Sequence, residues 1–344
     1  MIYINLLIIF LLIIFLHELG HYFAARLFKA EITDFSIGFG KTIYSFIDKN
    51  KTNWKISLIP LGGYVKIKGL DNIFQKNKTE EYKLGTFQSL TLIKKIIVLL
   101  AGSIFNILSA WICLFIIMYF IGILSFSNEI GDVIENSPAY KNDLRKGDII
   151  NSINSTIIKE FSDIPQAIGD NSSINLELIR DNKIFSKNID LEFNTKLNKY
   201  IIGISSTNKP KINRFHFTDS IKNSTLFIPN YYISTFSYLK NSIKQNTITK
   251  ELSGPIGIIK MADQLMLDKI KGVLFLFVVI SLFVGIFNLL PIPLLDGGHI
   301  IYFIIRQIFS DSLPHIVTRI YLAIGFTIIS FLFFIVTFND IFYK

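Results

Sequence analysis

The sequence is poor in cysteine and histidine, with one residue of the first kind and five of the second in 344 residues. A single thiol, Cys113, excludes an intramolecular disulfide and leaves the redox compartment undetermined. Charged residues make up only 18% of the chain, although 35 basic against 26 acidic side chains give a formal charge of +9. The lysines are scattered among Asn, Ser and Ile and form no basic motif, so we expect no nucleic-acid partner.

The sequence is rich in long apolar runs. Hydrophobic residues make up 51% of the chain, 32 of them phenylalanine, and the mean hydropathy is +0.46. This composition excludes an ordinary soluble protein. Four segments approach or exceed the roughly 20 residues needed to cross a bilayer. The sequence therefore predicts four transmembrane helices, at about 2–24, 96–124, 272–292 and 319–338.

The charges between these runs predict the orientation of the chain. No Lys or Arg precedes the first run, and no convincing small-residue cleavage site follows it, which argues against a secretory signal peptide. Residues 29–95 hold twelve Lys against six acidic residues. By the positive-inside tendency this segment is cytosolic. Residues 125–271 and both termini are then extracytoplasmic.

Two segments between the runs have β character. Residues 31–69 alternate apolar and polar positions around turn signals, which predicts short β-hairpins at the membrane surface. Residues 128–203 combine short β-like runs with a Ser-Pro helix start, which is typical of a small α+β domain. The predicted order is 1–28 (first helix), 29–95 (membrane-associated β-loop and amphipathic segment), 96–124 (second helix), 125–203 (α+β domain), 204–271 (outer linker with membrane-surface helices), 272–298 (third helix), 299–318 (cytosolic loop) and 319–344 (fourth helix and C-terminus).

The stretch HELGH at residues 17–21 places ionisable groups inside the first apolar run. Burying each such group in the membrane costs several kcal/mol, so their presence indicates a functional site. His17 and His21 are four residues apart, share a helix face and can bind one metal ion, with Glu18 beside them. Zn²⁺ suits imidazole ligands best among the common metals, and Glu18 would then be the general base for an attacking water. The alternative is a pair of structural histidines within a helix bundle.

A third ligand is expected for a catalytic zinc, and the stretch FNLLPIPLLDGGHI at 287–300 offers Asp296. Pro291 and Pro293 prevent a regular helix there, and broken backbone at membrane depth is tolerated only where protein or a water-filled cavity surrounds it. His299 is the rival ligand, ranked below Asp296 because it follows two glycines.

The predicted depths agree. Glu18 lies roughly 25 Å along the first helix, and Asp296 follows some twenty apolar residues of the third, so both arrive near the cytosolic half of the membrane. Gly102 and Asn106 of the second helix fall on the same side, where a glycine lets helices approach closely and an asparagine can bond across them.

The order of HELGH, FNLLPIPLLDGG and an intervening domain resembles the site-2 protease family of intramembrane zinc metalloproteases, closest to its bacterial regulator-of-sigma-E-protease branch. PLGGYVKIKG and SGPIGIIKMA extend the resemblance over nearly the whole chain. The resemblance implies that His17, His21 and Asp296 bind zinc and that Glu18 is the catalytic base. Candidate substrate-binding residues are Asn288, Gly62, Gly63, Tyr64 and Asn106.

The resemblance also implies a single PDZ-like domain over 125–203, on the pattern SPAYKNDLRKGDIINSIN. The sequence departs from the family's pattern at two places: Asn142–Asp143 stand where the family usually has Ala-Gly, and Ser103 stands where it often has proline.

The expected activity is cleavage of transmembrane segments in single-span membrane proteins, after an earlier cut by another protease, in the bacterial cytoplasmic (inner) membrane. Anti-sigma factors and remnant signal peptides are examples of such substrates, and membrane lipid is the other expected partner. Two alternatives stay open. A metal-ion transporter would need more ionisable residues along a path, and a catalytically inactive PDZ scaffold would not need a complete set of Glu18 and three ligands.

Overall fold

A computed structural model describes residues 2–70, 84–194, 199–207, 211–244, 269–309 and 314–342. The chain divides into two compact units, which are treated separately below. The first contains Met1–Ile117 and Thr218–Lys344, and the second contains Met118–Phe217. The predicted SGPIGIIKMA segment lies outside the described residues.

Four helices of the first unit are long and apolar enough to cross a membrane, which confirms the predicted number for the described part of the chain. They are α1 (Ile2–Leu27), α2 (Leu92–Ile116), α6 (Lys269–Phe287) and α8 (His315–Phe342). A short π-helical turn, Ile117–Ile121, continues α2. Helices α2 and α8 each begin four residues before the expected start, because polar and basic side chains are accommodated in their first turns.

Backbone between Asn288 and Leu295 interrupts the third apolar run. Helix α6 ends at Phe287, and α7 (Asp296–Ile308) begins after the two prolines. A Cβ on Gly297 would collide with the Leu289 carbonyl and lie 2.5 Å from the Leu290 carbonyl oxygen, and one on Gly298 would collide with the Ile292 carbonyl. Both glycines therefore let α7 start directly against the turn.

The sequence predicts a loop over 299–318, and this prediction is wrong for the first ten residues, which belong to α7. The apolar stretch after His299 is amphipathic, and it buries Tyr302 and Phe303. Tyr302 also forms a 3.0 Å hydrogen bond with Thr318 at the start of α8. These contacts stabilise a helix where the charge pattern alone indicated a connection.

Residues 31–69 form one long hairpin in place of several short ones. Its strands are β1 (Ile32–Ile47) and β2 (Asn53–Ile67). Residues 32–37 pair with 63–67 on one side and with 53–56 on the other, and 42–47 pair with 53–57. Residues 63–67 are therefore an edge of this sheet within the described part of the chain.

The hairpin, α1, α2 and α7 share one apolar core. Its buried members include Tyr22 of α1, Phe35 of β1, Phe87, Val98 of α2 and Phe303 of α7. Phe35 stacks on Trp54 with ring centroids 4.3 Å apart. This packing fixes the edge at 63–67 beside α1.

A 28-residue helix, α5 (Phe217–Lys244), occupies much of the segment expected to hold membrane-surface helices. The Tyr232 hydroxyl donates a 3.0 Å hydrogen bond to the Leu282 carbonyl of α6, and Trp111 of α2 donates to Thr225 at 3.1 Å. Tyrosine and tryptophan pack an apolar ring while bonding through a polar tip, which explains how this less apolar helix lies along α2 and α6.

The second unit is a small α+β domain. Its core is aliphatic, and its four-stranded sheet has the order Thr156–Ile157, Ile149–Ile153, Ser173–Arg180, Lys183–Asp190. The strands are β3 (Ile123–Ser125), β4 (Ile130–Val133), β5 (Ile149–Ile153), β6 (Thr156–Ile157), β7 (Ser173–Arg180), β8 (Lys183–Asp190), β9 (Glu192–Asn194), β10 (Lys199–Ile201), β11 (Ile204–Ser206) and β12 (Lys211–Asn213). Short helices α3 (Pro138–Lys141) and α4 (Ile164–Ile168) complete it.

This unit is longer than the predicted 125–203 domain, because β11 pairs with β4 and β12 pairs with β3. An apolar cavity of about 360 Å³ lies between α4 and residues 199–204. Whether the unit is a PDZ domain stays a prediction.

Candidate metal centre

The two histidines of HELGH lie on one face of α1, as their spacing predicts. Their side chains are buried, each residue being 8% exposed. The two Nε2 atoms are 3.2 Å apart. Both imidazoles therefore present the same ring nitrogen to one point.

Asp296 faces that point from the first residue of α7. Its Oδ2 lies 3.2 Å from His17 Nε2 and 3.5 Å from His21 Nε2. Within the described residues, these three side chains are the only His, Cys, Asp or Glu group with metal-ligand spacing. The structure thus brings together His17 and Asp296, which are 279 positions apart in the chain. The irregular backbone at Asn288–Leu295 places the carboxylate of Asp296 beside the histidines.

A hydrogen bond from His21 to α2 determines which of its ring nitrogens carries the hydrogen. Its Nδ1 lies 2.8 Å from the carbonyl oxygen of Val98 in α2. Because a carbonyl oxygen only accepts, Nδ1 carries the hydrogen and donates it. The lone pair of His21 is then on Nε2, facing His17 and Asp296.

A glycine on α2 leaves the ligand atoms room. A Cβ on Gly102 would lie 2.5 Å from His21 Nε2 and 2.7 Å from His17 Cε1. A Cβ on Gly20 would collide with the backbone carbonyl of Ala101. The two glycines allow α1 and α2 to approach at the depth of the histidines.

These residues fit a zinc ion. Asp296 Oδ2 is buried and accepts no hydrogen bond of ordinary geometry within the described chain, and such an orphaned atom is costly. Ligand atoms of a tetrahedral zinc are about 3.3 Å apart, given zinc–ligand distances near 2.0–2.1 Å. The measured separations of 3.2–3.5 Å agree with this value.

Glu18 lies beside the cluster on the next helical position. The backbone N–H of Val65 faces its carboxylate, and a Cβ on Gly63 would lie 3.4 Å from its Cγ. The N–H of Val65 therefore points away from β1, toward the free edge of β2. The edge strand and the proposed general base are therefore in direct contact.

A cavity of about 440 Å³ opens onto these groups. Its walls are mostly apolar, and its described lining contains no Lys or Arg. It is lined by Ile14, His17, Glu18, His21, Gly62, Gly63, Tyr64, Val65, Ile67, Leu70, Val98, Leu99, Val284, Asn288, Leu294, Leu295, Asp296 and His299.

The candidate substrate residues separate into two groups. Gly62, Gly63, Tyr64 and Asn288 line the cavity, and Asn288 Nδ2 is 3.4 Å from His17 Nε2. Asn106 does not line it. It is fully buried behind His17, with its Nδ2 3.3 Å from His17 Nδ1.

His299, the rival ligand, also lines the cavity but is not part of the three-residue group.

A Cβ on Gly63 would lie 2.8 Å from the Ser36 carbonyl oxygen and 2.9 Å from Ile14 Cγ2. The glycine thus brings the edge strand close to α1.

Sequence reasoning missed two contributors to this centre. Val98 acts through its backbone carbonyl, which no residue type signals. Leu294 lines the cavity with φ +80°, a conformation that costs a leucine of order 1–3 kcal/mol. The Pro-Ile-Pro stretch before it was the only available signal that this backbone is unusual.

Two imidazoles, a carboxylate and an adjacent glutamate beside a cavity define the metal centre of a zinc hydrolase, here within helices long enough to span a membrane. Comparison with known families gives the same class. The family model of peptidase family M50 matches residues 5–332. The chain belongs to this family and is a zinc metalloprotease.

Its relatives cover almost its whole length. It is 34% identical to a protein of Rickettsia conorii, over 96% of this chain and 95% of the relative. It is 32% identical to one of Campylobacter jejuni, over 96% and 90%, and 31% identical to one of Helicobacter pylori, over 96% of both. Each relative carries the provisional name of a zinc metalloprotease.

Proposed function

We propose that this protein cleaves peptide bonds within the transmembrane segments of membrane proteins. The observation that carries the proposal is the meeting of His17, His21 and Asp296 with Glu18 at one cavity, on helices apolar enough to span a bilayer. A protease site at that depth would meet substrates that are themselves membrane-embedded.

His17, His21 and Asp296 would hold the zinc ion. The ion supplies a Lewis acid that polarises the scissile carbonyl and makes water a stronger acid. Glu18 accepts a proton from the attacking water on its carboxylate and passes it to the amine of the leaving peptide. Glu18 and Val65 both line the cavity, and the N–H of Val65 faces the carboxylate.

A helical substrate hides its scissile bond behind backbone hydrogen bonds and must first unwind. The edge at residues 63–67 would receive the unwound segment as an added strand. Asn288, whose amide faces the cluster, would hold the substrate backbone. The substrate carbonyl would then lie between Asn288 and Glu18.

The decisive experiment is Glu18→Gln in the purified protein with a model transmembrane substrate. We expect zinc to be retained and cleavage to be lost, because glutamine cannot take the proton. The matched control is His17→Ala, which should lose both. Full cleavage by the glutamine variant would contradict the role of Glu18, and absence of zinc from the wild-type protein would refute the centre. Zinc movement across vesicles without cleavage would favour a transporter.

Strand addition needs a test that spares Glu18. Val65→Pro would interrupt the edge strand, but proline also removes the N–H that faces Glu18, so loss of activity would have two explanations. N-methylation of successive substrate residues leaves the enzyme intact. Because alternate residues of a strand face the same edge, we expect cleavage to fall at every second position. Equal tolerance at all positions would contradict strand addition.

The remaining parts of the proposal concern the substrates and the membrane in which they are cleaved. The substrates are single-span proteins of the bacterial inner membrane, first trimmed by another protease, as in regulated processing of anti-sigma factors or remnant signal peptides. The domain at 125–203, of PDZ type by resemblance, would exclude untrimmed substrates by size. Equal cleavage of full-length and trimmed forms would contradict this filter.

A further inference from the structure

Both ligand histidines turn their Nδ1 atoms toward α2. His21 Nδ1 meets the backbone carbonyl of Val98 at 2.8 Å, whereas His17 Nδ1 meets the side-chain amide of Asn106 at 3.3 Å. The helix thus contacts the two imidazoles by different means. One contact is independent of residue type, and the other depends on a single side chain.

A metal-bound imidazole needs an acceptor at its other nitrogen. When Nε2 gives its lone pair to a metal, the hydrogen of a neutral imidazole is on Nδ1. That N–H usually donates to a carboxylate, a carbonyl or water, which fixes the tautomer and the ring orientation. For His21 this acceptor is present in Val98.

The amide of Asn106 can supply the same acceptor to His17. Its Oδ1 is buried and has no hydrogen-bond partner within the described chain, while its Nδ2 faces His17 Nδ1. Rotation of the amide by 180° exchanges these two atoms without moving the rest of the side chain. The rotated amide accepts from His17 Nδ1–H, and the orphaned oxygen gains a partner.

The position of Asn106 is itself fixed. Ser109 and Ser281 both donate a 2.9 Å hydrogen bond to its backbone carbonyl, which joins α2 to α6 at this point. The residue is fully buried and is not part of the cavity lining. It therefore acts on the imidazole and does not meet substrate.

We propose that Asn106 is a positioning residue, whose amide oxygen accepts from His17 Nδ1–H and holds His17 Nε2 toward the metal. The inference rests on the proposed zinc centre and assigns Asn106 a role other than the substrate contact suggested by sequence. Outer hydrogen bonds of this kind affect metal affinity by about 10- to 100-fold.

The test measures zinc affinity of the purified full-length protein by competition with a chromogenic chelator. Asn106→Leu keeps a similar volume and loses the acceptor, so we expect affinity to fall about 10- to 100-fold. Asn106→Asp keeps an acceptor oxygen and should remain within a few-fold of wild type. Ser109→Ala, the matched control, removes a bond to the Asn106 carbonyl without touching His17, and should leave affinity unchanged.

A second measurement separates positioning from packing. The Co²⁺-loaded forms of Asn106→Leu and Asn106→Ala should show altered d–d absorption, while the metal-free proteins melt near the wild-type temperature. Wild-type affinity in both variants would overturn the proposal. Equal losses in Asn106→Leu, Asn106→Asp and Ser109→Ala would also overturn it, since α2–α6 packing would then set the affinity.

These outcomes are distinct from failure of the proposed function. If the zinc centre itself is wrong, wild type and His17→Ala bind zinc equally. If only the inference is wrong, His17→Ala loses zinc while Asn106→Leu keeps it.

Discussion

Single glycines determine how closely helices approach this metal centre. A Cβ on Gly102 would lie 2.5 Å from His21 Nε2 and 2.8 Å from His17 Nε2, in the space beside the ligand atoms. Gly297 and Gly298 allow a similarly close approach between α7 and the turn that precedes Asp296. Small residues allow close helix contact in membranes generally, and here they also leave room for the ligands.

Gly102→Ala should abolish stoichiometric zinc binding, because the new methyl group lies 2.5 Å from His21 Nε2 and displaces the imidazole. Metal analysis of the purified variant measures this. Gly285→Ala is the matched control, since its Cβ meets Ile107 and Ser103 of α2 at 3.2–3.3 Å, lies at an ordinary contact distance of 3.6 Å from Asn106 Cβ, and meets no ligand. Zinc at wild-type stoichiometry in Gly102→Ala would show that α1 and α2 can separate at no cost.

At the scale of elements, the hairpin depends on α1 for its position. Arg26 donates to the Asn50 carbonyl at 3.0 Å and to Thr52 Oγ1 at 2.6 Å. Tyr22 and Trp54 both donate to Asp48 in the same turn. The turn between β1 and β2 is therefore bonded back to the helix that carries the histidines.

Arg26→Ala should loosen this turn, because hydrogen bonds from a charged group contribute about 1.5–3 kcal/mol each. Hydrogen exchange of the β2 amides should rise by one to three orders of magnitude near residues 53–57, with zinc content unchanged. Arg26→Lys, which keeps the charge but not the paired geometry, should lie between. Unchanged exchange would mean that the apolar core alone fixes the hairpin.

The second unit contains an ion pair whose carboxylate is buried. Asp148 is 1% exposed and receives two 2.7 Å hydrogen bonds from the Arg180 guanidinium. Burial by itself would raise the pKa of this carboxyl, but the Arg180 hydrogen bonds and the Arg145 backbone N–H outweigh it and lower the pKa below the ordinary value.

The sign of the pH dependence follows from the lowered pKa. An ionised Asp148 stabilises the fold above its unfolded pKa of about 3.9, and this stabilisation is lost as pH falls through the lower folded pKa. Limited proteolysis of the full chain should cut within 118–217 only in acid. Asp148→Asn should be cut at neutral pH as well, since it removes the charge that accepts two bonds from Arg180, and a hydrogen bond to a charged group contributes about 1.5–3 kcal/mol. Equal resistance of both proteins at neutral pH would contradict this.

The features of the fold and the site that could be predicted from the sequence are those encoded by residues close together in the chain. The spacing of His17 and His21 predicts a shared helix face, and the prolines at 291 and 293 predict a broken third run; both features are present. The bonds from His21 to Val98 and from His17 to Asn106 depend on the rotation and register of α2 against α1. No local pattern encodes them. Helix α7 was missed because its stability comes from contacts with α8 and Phe87.

At the scale of the whole molecule, the metal centre needs side chains from both ends of the chain. His17 and Asp296 cannot meet until α1, α2 and α6 are assembled, so zinc binding reports assembly of the membrane unit. If the four apolar helices each cross the bilayer, the sequence predicts that successive connections between them lie on opposite sides of the membrane. The Lys-rich segment at 29–95 predicts which side is cytosolic.

This orientation can be tested because the only native cysteine, Cys113, is buried within α2 at 5% exposure. Exposed positions for labelling are Lys49, between β1 and β2, and Lys183, at the start of β8. In intact cells, a membrane-impermeant thiol reagent should label Lys183→Cys and leave Lys49→Cys unlabelled until the membrane is permeabilised. Wild type provides the background. The reverse pattern would place the hairpin outside, and the active site would then open toward the opposite side.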